Sequence, residues 1–225
     1  MARMIIVEGV DGVGKSTFLS TLENRYKDLS LSTTHRFFPY QMPPPDVSSC
    51  SIREVLYYLK DFERQLAEHP TVNTDVILCD RSFLTTMVYQ GFIGTAIKGR
   101  YYEPIQTLGE DLFASKIDVD HIDVVYLECS TETSINRISA RKSSKDVTDN
   151  LKGDELTKRL DNLKNRFEIV ISDTNFKWKM ERLSLGLARK KPSVIKRIHQ
   201  LDTTNSSPED TVTKALQLIR SVTQE

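Results

Sequence analysis

The segment Gly9-Val10-Asp11-Gly12-Val13-Gly14-Lys15-Ser16 fits GxxxxGK[ST] at every fixed position, and three of the chain's nine glycines fall inside it. A loop that wraps phosphate must bring backbone N–H groups close to oxygen and adopt left-handed dihedrals, which glycine permits at low cost. The run before it, Met4-Ile5-Ile6-Val7-Glu8, reads as a buried parallel strand that ends at a glycine. After it, Lys15 to about Tyr26 reads as a helix with Phe18, Leu19 and Leu22 on one face. The positive end of that helix adds to the anion site. Lys15 can reach the β- and γ-phosphates of a nucleoside triphosphate. Ser16 can offer its hydroxyl oxygen to Mg²⁺, and the backbone from Gly9 through Thr17 can cradle the tail.

The alternation of strand and helix continues along the chain. Strands are expected at 31–38, 75–80, 122–129 and 195–201. Helices are expected at 52–67, 82–97, 102–117, 131–141 with Thr131 as cap, 154–175 and 208–222. The three prolines within Gln41–Ser49 exclude regular structure there, and the polar run 142–150 reads as a loop. Strands separated by helices predict an α/β domain, a parallel sheet covered on both faces. A length of 225 residues with 39% hydrophobic content suits one domain spanning 1–225.

Lys+Arg and Asp+Glu both total 31, so the chain lacks the basic surface of a bulk nucleic-acid binder. No stretch is apolar for long enough to span a bilayer. The start, Met1-Ala2-Arg3, runs straight into the first strand, unlike a signal peptide. Cys50, Cys79 and Cys129 are odd in number and far apart, which predicts reduced thiols and a cytoplasmic setting. His35, His69, His121 and His199 show no metal-ligand spacing and read as surface or strand-end residues.

Asp80 closes an apolar strand, which is the sequence form of a second metal-side carboxylate at the carboxyl edge of a sheet. Arg81 follows at once and can meet an acceptor phosphate. Without the loop, the pair would read as a helix cap beside a surface arginine.

The loop Glu8 to Thr17, then Asp80-Arg81-Ser82, then Tyr89-Gln90-Gly91, resembles the thymidylate kinase family. Phe38-Pro39 resembles that family's turn after the second strand. Val125 to Thr133, with Arg137 and Arg141, resembles its strand and helix leading into a lid at about 142–150. The resemblance implies a P-loop kinase three-layer sandwich with a five-stranded parallel sheet in the order 2-3-1-4-5. It implies ATP as co-substrate, Mg²⁺ held by Ser16 and Asp80, small nucleotides as partners, and a homodimer. By position, Asp11 would contact the acceptor sugar and Arg81 its phosphate. Tyr89 and Gln90 would lie beside the base or sugar, Phe38 would stack on the base, and Arg64 would read it. Lys15, Arg81, Arg137 and Arg141, with lid residues Lys142 and Lys145, would supply positive charge to the transferring phosphoryl.

The chain departs from the family in several places. Ser82 stands where Tyr or His is usual, Tyr40-Gln41 where an arginine follows the turn, and no arginine lies between Asp11 and Lys15. Residues 176–194 look like a basic insertion. Deoxynucleoside kinases also resemble the chain, since Asp80-Arg81-Ser82 is similar to their ERS motif. They place a base glutamate after the second strand, whereas Phe38 to Asp46 holds no Glu and only Asp46 as an acid. A nucleoside hydroxyl wants such a base, but a monophosphate oxygen is already anionic. The residues therefore favour a monophosphate acceptor, dTMP first, over a nucleoside. A nucleotide-sensing module is the remaining alternative, and no NKxD-like guanine motif is present to suggest a GTPase.

Overall fold

The structure is a computed structural model that describes residues 2–37, 52–68, 74–92, 99, 101–116, 119–141, 151–184 and 195–220. Its first strand, β1 (Ala2–Glu8), is apolar from Met4 through Val7, and those side chains are fully buried. A strand with no polar face needs cover on both sides. β1 has it, at the centre of a five-stranded sheet with β2 (Thr33–Phe37), β3 (Val76–Asp80), β4 (Val119–Glu128) and β5 (Ile195–Asp202). The order is β2-β3-β1-β4-β5 and every pairing is parallel.

Parallel pairing forces crossovers, and the helices supply them: α1 (Lys15–Asp28), α2 (Ile52–Glu68), α3 (Phe83–Gln90), α4 (Tyr102–Lys116), α5 (Thr131–Ser139), α6 (Asp154–Ser184) and, after β5, α7 (Pro208–Arg220). The path from β1 through α1 to β2 runs one way across the sheet, and every later crossover runs the other way. Right-handed crossovers then put α1 on one face and α2 to α6 on the opposite one. The packing agrees: α1 lies against α7, while α3 touches α2, α4 and α6. The reversal falls between β1 and β3, and a crevice opens there at the carboxyl ends of the strands. Both motifs singled out above begin at that crevice, Gly9 after β1 and Arg81 after β3.

Some expected boundaries move. α3 stops at Gln90 instead of running to 97, with Gly91 as its C-cap, whose N–H donates to Met87 O at 2.8 Å. The cap of α5 is Ser130, not Thr131; its Oγ accepts from Thr133 N. α6 continues to Ser184, so the first part of the expected 176–194 insertion extends an existing helix. His199 is not at the surface. It is buried with Nε2 3.1 Å from Asp123 Oδ1, and Arg3 Nε lies 3.8 Å from the other oxygen of that carboxylate. Cys79 and Cys129 are buried and form no disulfide among the described residues. Among the described residues no helix is long and apolar enough to cross a membrane. Phe38-Pro39, Asp46, the loop and lid region 142–150, and residues 185–194 lie outside the described residues.

The loop after β1 is wedged against α5. Gly12 has φ +83°, and a Cβ at that position would sit 2.6 Å from Ser134 O and 2.9 Å from Ser134 Cα. Only glycine fits, since both the dihedral and the space exclude a side chain. We expect Gly12→Ala to lower stability by about 2 kcal/mol, from left-handed strain plus overpacking. Urea midpoints check this, and a variant as stable as the parent would show that α5 does not hold the loop.

Candidate active site

The loop from Gly9 to Gly14 curls over its own lysine. Lys15 Nζ donates to Gly9 O at 3.0 Å and Val10 O at 2.8 Å, and the side chain is buried. Burial pushes its ammonium down to about 8 and the nearby Arg81 charge adds to this, while Asp11, Asp80 and Glu8 oppose it. Gly14, in the left-handed region, is the N-cap of α1 and offers no side chain to it; the first turn of the helix contains no acid. The positive end of α1 is thus left for an external anion. Ser16 and Thr17 are exposed on that first turn.

Arg81 is held beside the loop from β3. Its backbone has φ +74°, a strained conformation for a residue with a side chain, and its N–H donates to Val7 O at 2.9 Å. This turn aims the guanidinium back across β1. Nη2 meets Asp11 Oδ1 at 2.6 Å and Nη1 meets Gly9 O at 3.5 Å. The Arg81 guanidinium lies 5.9 Å from the Tyr89 ring centroid, and the Tyr89 hydroxyl donates to Asp11 Oδ2 at 3.4 Å. Burial, then the Asp11 charge, raises the Tyr89 phenol well above its ordinary value, so it stays protonated as a donor. Asp11, Arg81 and Tyr89, taken separately from the sequence, therefore form one cluster.

The strain at Arg81 is contained by a group that sequence reasoning did not single out. Glu8, fully buried, accepts from Ser82 Oγ and from Thr85 Oγ1, each at 2.6 Å. Burial is the largest influence on its carboxyl and raises its pKa, against the lowering effect of those two hydroxyls. Ser82 Oγ also caps α3 by accepting from Leu84 N. The available signal was an acid closing an apolar strand; its hydroxyl partners stand at the start of α3, distant in sequence.

Asp80, in register with Val7 of β1, has a buried Oδ1 with no hydrogen-bond partner among the described residues. Such a bare carboxylate oxygen suits a cation. No group of three or more His, Cys, Asp or Glu side chains converges among the described residues. Mg²⁺ sites, which use one or two carboxylates and draw the rest from substrate phosphates and water, need no such group.

On the other flank, Arg137 is fixed. Its Nη1 donates to Val13 O at 3.2 Å and Thr203 Oγ1 at 3.1 Å, and its Nη2 to Thr203 O at 2.8 Å. Thr203, to which sequence reasoning assigned no role, also donates from Oγ1 to Val13 O at 2.9 Å. Arg137, Thr203 and the exposed Arg141 line a cleft of about 350 Å³ with Gly14, Phe18 and Pro208. Gln90 is buried at the end of α3, and Arg64 pairs with Asp61 on α2 at 2.9 Å. Phe38 lies outside the described residues.

The strand, glycine loop and helix, with Asp80-Arg81 ending the neighbouring strand, belong to the P-loop kinase fold. Two solved structures share that architecture over nearly the whole chain. Bacillus subtilis YorR protein, in complex with phosphorylated GDP, gives a TM-score of 0.54 at 16% identity, covering 99% of this chain and 98% of its own. Deoxyadenosine kinase from M. mycoides with bound dCTP gives 0.53 at 17%, covering 97% and 99%. In sequence the chain is similar to thymidylate kinases. That of Desulfotalea psychrophila is 31% identical over 104 residues, 41% of this chain and about half (52%) of its own length. That of Mycoplasmoides gallisepticum is 26% identical over 200 residues, 81% of this chain and 87% of its own. No protein-family model matches.

The low-lying Lys15 has a measurable sign. Between about pH 8 and its ordinary 10.5, the unfolded chain holds a proton that the folded chain has released, so Lys15 makes stability rise with pH across that window. Urea midpoints of the parent and Lys15→Met should converge or cross as pH climbs from 7 to 10.5, the parent gaining relative to the variant. Parallel curves would show that the ammonium is not enclosed.

Proposed function

We propose that this chain is a nucleotide kinase that transfers the γ-phosphoryl of ATP to a deoxynucleoside monophosphate, dTMP first. Similarity to two thymidylate kinases supports the kinase activity. The observation that carries the choice of acceptor is the cluster of Arg81, Asp11 and Tyr89 against the phosphate loop, with Glu8 closed off behind it. The arginine suits an anionic acceptor, and Asp11 with Tyr89 offers polar contacts for its sugar. A nucleoside acceptor would need a proton acceptor; among the described residues at this cluster both Glu8 oxygens are taken by hydroxyls and Asp11 is paired with Arg81.

On this reading the Gly9–Thr17 segment holds the triphosphate tail, and the cleft beside Arg137 and Thr203 receives the adenosine end. Lys15 leaves its loop carbonyls for the phosphates, which restores its full charge. Arg141, exposed at the cleft, is assigned to the transferring phosphoryl together with 142–150. Arg137, tied to Val13 and Thr203, is assigned to the shape of the loop. Gln90 and Arg64 are assigned to the acceptor base, with Phe38. Ser16 and Asp80 would hold Mg²⁺, which neutralises phosphate charge when bound. Phosphoryl transfer is mostly positioning and charge stabilisation, so these residues act by placement more than by proton transfer. A homodimer completes the reading; exposed Leu56 and Tyr57 on α2 and Leu108 on α4 are apolar surface open to it.

A second reading has one observation behind it. Ser82 follows Asp80-Arg81 as in deoxynucleoside kinases, and one fold neighbour is a deoxyadenosine kinase. Coupled ADP-release assays with the four deoxynucleoside monophosphates and the four nucleosides separate the two. Turnover of dTMP and none of thymidine is expected; the reverse pattern overturns the proposal. Asp80→Asn should raise the Mg²⁺ concentration for half-maximal rate by about 10-fold or more. An unchanged Mg²⁺ dependence would remove Asp80 from the metal site.

A further inference from the structure

The acceptor side holds a second arginine that the reading above does not use. α6 packs against α3, and Arg166 pins the two together: its Nη1 reaches Val88 O at 3.4 Å and its guanidinium lies 5.5 Å from the Phe92 centroid. Two turns earlier on the same helical face stands Arg159. Its charge acts on both the Tyr89 phenol and Arg166, so it stands within electrostatic range of both. Tyr89 in turn reaches Asp11, the partner of Arg81.

Arg159 has unused capacity there. Its Nε is buried with no hydrogen-bond partner among the described residues. A buried guanidinium N–H without an acceptor is costly and calls for an anion that the described residues do not supply. Arg81, by contrast, already faces a carboxylate at 2.6 Å, so much of its charge is balanced before any substrate arrives. A phosphate with several anionic oxygens is held best by more than one guanidinium.

We propose that Arg159 is an acceptor-binding residue whose Nε donates to a phosphate oxygen of the incoming monophosphate. The proposal rests on the monophosphate reading, and one set of assays tells the two apart. KM and kcat are measured for the four deoxynucleoside monophosphates and for ATP, using the parent chain, Arg159→Met and Arg159→Lys, with thermal melts to confirm folding. Loss of one charge-assisted hydrogen bond should raise the acceptor KM of Arg159→Met by about 10- to 100-fold. The KM for ATP should hold and Arg159→Lys should recover part of the loss. An acceptor KM unchanged in Arg159→Met, an equal rise in the ATP KM, or a lysine variant no better than methionine overturns the role of Arg159 while leaving the kinase reading in place. A parent chain that turns over no monophosphate overturns the monophosphate reading itself, before any variant is compared, and the role of Arg159 falls with it.

Discussion

An ammonium group enclosed by its own loop sets the terms for the rest of the molecule. Lys15 reaches the carbonyls of Gly9 and Val10 only because the chain curls tightly between β1 and α1. That curl is braced from both flanks. On one side Arg81 reaches Gly9 and Asp11; on the other, Arg137 and Thr203 take the carbonyl of Val13, and α5 closes on Gly12. Backbone held this firmly can present its N–H groups without reorganising when an anion arrives, which is how preorganised sites gain their strength.

The strained backbone at Arg81 is the second consequence of the same arrangement. A left-handed arginine persists only where its surroundings fix it. Here its N–H bonds to β1 on one side, and Ser82 bonds to Glu8 on the other. The strand-end acid is therefore structural, and its two hydroxyl partners come from the first turn of α3. Ser82, a departure from the resembling family, is the residue that serves both Glu8 and the helix cap.

The loop, the strand–helix alternation and the Asp80-Arg81 pair were legible because each rests on local signals: glycine spacing, apolar runs and helix starts. What stayed hidden depends on contacts distant in sequence. Nothing local marks Glu8 as the partner of Ser82 and Thr85, or Thr203 as the partner of Val13, 190 residues away. His199 looked solitary because its acid, Asp123, sits on the neighbouring strand, near it only through the β4–β5 register. α3 was read too long because apolar residues continue past Gly91, while Gly91 caps the helix. Arg159 carried no pattern at all; an arginine amid a polar helix is ordinary until its Nε proves to be buried.

Among the described residues the order of the sheet leaves two strands, β2 and β5, with a single neighbour each. An open row of backbone donors and acceptors invites pairing with another molecule and, from there, aggregation. β2 limits the hazard by being five residues long. β5 is longer, but it reads Ile195-Lys196-Arg197-Ile198-His199-Gln200-Leu201-Asp202, so charged or polar residues break up its apolar ones. Two copies laid edge to edge in parallel register would set like charges opposite one another, a destabilising arrangement. The charges along β5 thus work against edge-to-edge stacking of copies, independent of anything the crevice at the sheet's centre binds.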